Sequence, residues 1–492
     1  MRETAILFIP VLLPVLTGIF LLLAKEQTGR KNLLIITGIC LLVTGGMVFY
    51  ILSLGDVSFT LFHLTQTIPI YFRVDAVGRL FAAAVTVIWI CAGIYAFGYM
   101  DREEKNKRYF GFYLIVYGIL IGLDFSGNLI TFYLFYELMT LMSVPLVMHN
   151  GSHEAVMAGL KYLFYSFCGA YMVLFGIYFI YRYAETITFT PGGVFLPSVL
   201  ESQGGLLLVA VFFMILGFGV KAGMFPLHAW LPTAHPVAPA PASAVLSGII
   251  VKSGVLGMVR VVFYIFGADF LRGTWVQTVW MILALATVFM GSMAAYLEKG
   301  LKKRLAYSTV SQVAYILFGL SLLQPAAVTG ALLHVVFHAV MKCTLFLCAG
   351  AVIYQTGRTK VHELNGIGKQ MPVTMWCFTF ASLSLIGIPP ASGFVSKWYL
   401  AVGALKAPVG IFAWLGPVVL LISALLTAGY LLPIAVRAFL PGKEYETVIL
   451  PKAEPKALML LPIVVLAVLS VVLGVLPGGL IQVIAAIMPQ IM

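Results

Sequence analysis

Three side chains on one apolar run are spaced to hand protons along it. His334, His338 and Lys342, in LLHVVFHAVMKCTLF, stand at i, i+4 and i+8. On a helix they share a face and stack over roughly 12 Å, at about 1.5 Å of rise per residue. Histidine is the side chain whose ordinary pKa best suits exchange near neutral pH. A pair of hydrogen-bonded core histidines beside a satisfied lysine would give the same spacing. Zinc also suits a His pair at i, i+4, but no third ligand is evident and Lys342 would repel the ion. No metal site and no cofactor is expected.

Four other ionisable residues interrupt apolar runs: Glu137 in NLITFYLFYELMTLMSVP, Lys221 in GFGVKAGMFPLHAWLP, Lys252 in SAVLSGIIVKSGVLGMVR and Lys397 in IGIPPASGFVSKWYL. Charges inside lipid-spanning segments are costly and usually functional. A lysine near a helix end escapes by snorkelling, but Lys252 lies about twelve residues into its run, too deep for that. A buried lysine loses its proton more easily when a carboxylate withdraws, and regains it when one approaches. Glu137 reads as the only deep carboxylate and so as the modulator of Lys221; Asp124 reads as an interfacial anchor. Pro226 follows Lys221, while Pro389 and Pro390 precede Lys397. Such interruptions mark discontinuous helices of transporter sites. His228 and His235, beside HPVAPAPASA, are auxiliary candidates on a structured connector.

The elements that must hold these groups are membrane helices. Of 492 residues, 61% are apolar and only 10% charged, and the mean hydropathy is +1.04. Long continuous runs favour helices over an alternating barrel, and about fourteen runs are long enough to cross. We expect an all-α integral membrane protein with two inverted five-helix repeats: residues 1–105 as a three-helix segment, 106–265 and 270–440 as the repeats, and 441–492 carrying a last span. The net charge of +12 forms no stripe, so no nucleic acid is expected. Six cysteines in apolar runs read as packing residues. Nineteen loop Lys and Arg fall on one side and seven, Arg260 among them, on the other. That bias places both termini outside a plasma membrane, with the loops around Lys303 and Lys360 inside.

Several long strings, FYELMTLMS, KAGMFPLHAWLPTAHPVAPAPASAVLSGIIVKSGVLGMVR, KKRLAYSTVSQVAYI, HVVFHAVMKCTLFLCAG and GIPPASGFVSKWYL, give the chain a family likeness. It resembles the antiporter-like proton-translocating subunits of respiratory complex I and, more closely, the D-type component of Mrp sodium/proton antiporters and its counterpart in membrane-bound hydrogenases. The resemblance implies a Glu137–Lys221 pair in an inlet half-channel, Lys252 as relay, His334, His338 and Lys342 as central bridge, and Lys397 at the outlet. It implies other membrane subunits as partners, and protons, alone or exchanged for sodium, as cargo. A membrane subunit of a quinone oxidoreductase or hydrogenase that contributes to a quinone site is the alternative reading; no catalytic centre is read in the chain itself.

Overall fold

The computed structural model describes residues 2–24, 29–442 and 452–492. Lys25 and Lys443, counted among the topology-setting cations, lie outside the described residues. The helices are α1 (Ile9–Leu23), α2 (Arg30–Ser53), α3 (Ala76–Tyr99), α4 (Asn106–Asp124), α5 (Leu129–Val147), α6 (His153–Tyr183) and α7 (Pro197–Ala222). After a short α8 (Leu231–Val237) comes α9 (Ala240–Phe266). Then follow α10 (Trp275–Leu297), α11 (Leu301–Ser321), α12 (Pro325–Thr356), α13 (Pro372–Ile386), α14 (Ser392–Lys406), α15 (Phe412–Phe439), α16 (Ala457–Val475) and α17 (Gly478–Ile491).

Eleven of the described helices are long and apolar enough to cross a bilayer, and the all-α membrane architecture stands. Three expected spans are not among the eleven. α4 opens on Lys107 and Arg108; α11 carries a buried polar stripe of Ser308, Thr309, Ser311, Gln312 and Tyr315; and the run Pro372–Val402 is two helices, α13 and α14. The last run also divides, into α16 and α17, at Pro477.

The segment between α2 and α3 is an antiparallel hairpin of β2 (Val57–Thr65) and β3 (Ile68–Arg73), with Ser58 opposite Arg73. The two-residue β1 (Arg2–Glu3) pairs parallel to β2. The Thr, Phe and Ile alternation favours strands, but it is too short and too polar to register as a span.

At the middle of the bundle stand α9 and α12, whose most apolar windows are 100% and 89% buried within the protein, against 33–61% for the other nine. α12 packs on α3, α9, α11, α13, α14 and α16. A hydroxyl cluster ties α10, α11 and α15 together: Ser292 Oγ meets Ser311 Oγ at 2.7 Å and Ser423 Oγ at 2.5 Å. Interhelical hydroxyl bonds of this kind supply attraction where lipid offers no hydrophobic drive.

Two helices stop inside the bundle in the same manner. α7 is capped by Gly223 at φ +77° and α13 by Gly387 at φ +93°, a left-handed conformation that glycine adopts without strain. Each stop precedes a cis X-Pro bond, Phe225–Pro226 and Pro389–Pro390.

Candidate functional site

The i, i+4 spacing on α12 sets the His334 and His338 rings 5.8 Å apart, and both are fully buried, as is Lys342. Lys252 reaches this ladder from α9. That helix widens to a π turn at Leu246–Ile250, a local irregularity common at functional sites. Lys252 Nζ donates to Ser247 O, five residues back, at 2.7 Å, and lies 2.6 Å from His338 Nδ1. With the lysine donating, His338 carries its proton on Nε2.

From His334 the line continues to α14, where Ser396 Oγ is 2.8 Å from His334 Nδ1. Lys397 follows directly. Its Nζ donates to Leu385 O and Ile386 O at 2.7 and 2.9 Å, carbonyls near the end of the interrupted α13. A helix C-terminus offers such acceptors and a favourable dipole to a cation. The Tyr315 ring stacks on His334 at 5.7 Å and lies 4.9 Å from Lys397 Nζ. Lys252, His338, His334, Ser396, Tyr315 and Lys397 are therefore contiguous. The Nε2 atoms of both histidines are buried without a protein partner, a setting that a bridging water satisfies.

Lys342 takes a side position, donating to Leu305 O at 3.1 Å. His235 is fully buried with both ring nitrogens unpartnered, stacked on Phe346 at 4.7 Å. It lies within electrostatic reach of Lys302, Lys342 and Lys252. Lys302 in turn lines a cleft of about 520 Å3 with Glu103, Glu298 and Lys360. His228 precedes α8, and its Nδ1 is also unpartnered.

The Glu137–Lys221 ion pair is not present in this structure. Lys221 Nζ donates to Thr140 Oγ1, Tyr162 OH and Ser166 Oγ at 2.8, 3.0 and 3.1 Å, so all three ammonium protons are satisfied by neutral oxygens. Glu137, one turn before Thr140 on α5, is half-buried with Oε1 unpartnered. Nor does a hydrogen bond join Lys221 to Lys252. The two helices touch at Gly254, where a Cβ would fall 3.1 Å from Lys221 Cβ.

Two further assignments need correction. Arg260, counted with the loop cations, is 1% exposed; its Nη2 donates to Asp75 Oδ1 at 2.9 Å and its Nη1 to Asp75 Oδ2. Asp124 is no interfacial anchor but 2% exposed, more fully enclosed by the protein than the half-buried Glu137. Both acids sit at span ends in the sequence, and only the packing of α3, α4 and α9 encloses them.

Residues 126–427 match the family described as NADH:quinone oxidoreductase/Mrp antiporter, TM. Residues 63–110 match a second description, NADH-Ubiquinone oxidoreductase (complex I), chain 5 N-terminus. NADH-quinone oxidoreductase subunit N of Desulforudis audaxviator is 36% identical over 396 residues, covering 78% of this chain and 77% of that protein. The D-type component of the Na(+)/H(+) antiporter of Bacillus subtilis is 29% identical over 477 residues, covering 95% and 93%. Among solved structures, a chain of the Mrp complex from a Dietzia species superposes with a TM-score of 0.85 at 22% identity, covering 99% of this chain and 98% of its own length.

Proposed function

The chain belongs to the NADH:quinone oxidoreductase/Mrp antiporter family, and from that premise we propose that it is a proton-translocating, antiporter-like membrane subunit of a larger complex. One observation carries the reading: the close succession of side chains from the buried Lys252 through His338, His334 and Ser396 to the half-buried Lys397. Buried ionisable groups without carboxylate partners are expensive in lipid, and exchange of a proton along the line gives that expense a purpose. The cargo is the proton; the Bacillus subtilis relative is named for sodium/proton exchange, and sodium as counter-ion rests on that likeness alone.

In this reading the Lys302 cleft and His235 supply Lys342, while Glu137 and Lys221 form a second inlet in which Tyr162 and Thr140 hold the lysine until the carboxylate approaches. Lys397 is the outlet. The matching interruptions of α7 and α13 support two inverted repeats, 106–265 and 270–440. The cation bias supports a plasma-membrane orientation with the Lys303 and Lys360 loops inside and both termini outside. Other membrane subunits provide the driving force.

The test is His338→Ala in the host complex, assayed in everted membrane vesicles by fluorescence quenching. Loss of a relay group lowers the rate by about a hundredfold while assembly, checked by native gel, is unchanged. Transport at the wild-type rate in assembled His338→Ala complex would remove the histidine line from the mechanism.

A further inference from the structure

A small cavity lies between α3, α4, α9 and α12, bounded by Phe81, Leu120, Asp124, Lys252 and Ser253. It leaves about 10 Å3 for the centre of a water, space for a single molecule. Asp124 and Lys252 thus share a cavity, although they are far apart in sequence and neither is bonded to the other.

Each has something unspent there. Asp124 is buried and its Oδ2 has no hydrogen-bond partner, a costly state for a carboxylate oxygen unless water or a proton satisfies it. A charged lysine has three N–H donors, and Lys252 places two of them, on Ser247 O and His338 Nδ1. One donor remains.

Beyond Asp124 the charges continue to the hairpin end of the bundle. Arg260 lies within electrostatic reach of Asp124 and is held by Asp75. Arginine stays protonated, so it is a fixed charge rather than a carrier. Asp75 feels Arg73, which lines a cleft of about 370 Å3 with Asp56 and Gly192.

We propose that Asp124 is a second proton acceptor for Lys252, reached through one water, and that it opens a branch of the relay toward the hairpin end, additional to the one through His334 and Lys397. In the transfer an N–H bond of the Lys252 ammonium breaks, the water passes a proton on, and an O–H bond forms at Asp124 Oδ2. A neutral amine and a neutral carboxylic acid result. The proton then leaves Oδ2 for water at the hairpin end, and the carboxylate is restored beside Arg260.

The branch rests on the relay reading above, so His338→Ala serves as its control. In the assembled host complex in everted vesicles, Asp124→Asn is expected to lower transport about tenfold, and Asp124→Glu to recover most of it, because only a titratable group restores a proton carrier. If Asp124→Asn runs at the wild-type rate while His338→Ala is inactive, the branch is overturned and the relay stands. If both run at the wild-type rate, both are overturned. If Asn and Glu are equally impaired in assembled complex, Asp124 has a structural role and the branch is overturned. Should the Asp124 variants not assemble, the wild-type complex decides. The apolar reagent dicyclohexylcarbodiimide reacts with protonated carboxyls, and peptide mass spectrometry should find it on Asp124. An unmodified Asp124 beside modified Glu137 would overturn the branch.

Discussion

Lys221 is buried and Lys397 half-buried, and they are held by different chemistry. Lys221 is surrounded by three hydroxyls, with the Tyr162 ring 4.5 Å from its Nζ; Lys397 rests on two carbonyls of an interrupted helix. A hydroxyl both donates and accepts, so it can also donate to the lone pair of a neutral amine, whereas a carbonyl can only accept the amine's N–H. Tyr162→Phe should therefore slow transport several-fold, about 1 kcal/mol for one lost hydrogen bond, without stopping it. Glu137→Gln should stop it, since among the described residues Glu137 is the carboxyl whose charge reaches Lys221; Glu137→Asp should keep part. Initial rates in vesicles of matched protein content measure all three, and an unimpaired Glu137→Gln would exclude the carboxylate as gate.

A residue outside the spans gives a pH test of stability. His149 is buried against Tyr109, edge to face at 5.4 Å, with Nε2 3.1 Å from Glu104 O. Burial, helped by the Arg108 and Lys105 charges and opposed by that hydrogen bond, brings its pKa down to about 4. The unfolded chain takes up a proton near the ordinary 6.5, so below that pH it binds a proton the fold refuses. The contribution of His149 is full above about pH 6.5 and is lost as pH falls toward about 4. His149→Phe should melt with a smaller drop between about pH 7.5 and about pH 5 than wild type; an identical drop in calorimetry would exclude His149 as the cause.

Among the elements, the interruptions of α7 and α13 are the most sequence-dependent. Gly387 sits at φ +93°, where a Cβ would also come 3.0 Å from Lys397 Cδ. Gly387→Ala should cost about 1–2 kcal/mol from the left-handed backbone alone and displace the lysine from its carbonyls. Gly410, also at positive φ but with open space around it, is the comparison: Gly410→Ala should cost a similar amount of stability with little effect on transport. Thermal midpoints and vesicle rates separate the two effects.

Much of this scale was legible in the sequence. The His334–His338 spacing, the prolines beside Lys221 and Lys397, and the depth of Lys252 are local patterns, and helical geometry converts them directly into placement. What one sequence does not carry is the pairing between helices. Asp75 and Arg260 are 185 positions apart, each near the end of a run, and each looks like an ordinary boundary charge until α3 and α9 pack. The hydroxyls around Lys221 come from α5 and α6, and serines, threonines and tyrosines are too common in spans to stand out. Gln312, buried with both amide atoms unpartnered, did leave a signal in the polar stripe of α11, but that stripe lowers the hydropathy and reads as a weak span rather than as a lining.

For the whole molecule, the expected arrangement is that the loops near Lys303 and Lys360, joined by the bridge between Gly300 and Lys360, face the cytoplasm. Single cysteines at the exposed position 299 or 360 should resist a membrane-impermeant maleimide in intact cells and react after permeabilisation. Labelling of both in sealed cells would invert the topology. Alone in liposomes, the chain should show little ion exchange driven by a pH gradient, because no ATP- or electron-coupling motif is read in it; vigorous exchange by the single chain would show that partners are dispensable.

The Ser292–Ser311–Ser423 cluster also constrains how the chain is made. Ser423 lies 112 positions after Ser311, an interval of roughly 6–20 s at about 5–20 residues per second of synthesis. Through that time α10 and α11 are already in the membrane, and Ser311 Oγ has Val288 O at 2.9 Å as an interim acceptor. The pair can thus leave the translocon as a self-satisfied hairpin and wait there. Of these three helices α15 arrives last, and its Ser423 hydroxyl joins a surface already formed, beside the Tyr315–Leu420 and Tyr430–Ser308 bonds, so replacing Ser423 should slow the docking of α15 while leaving the insertion of every earlier helix untouched.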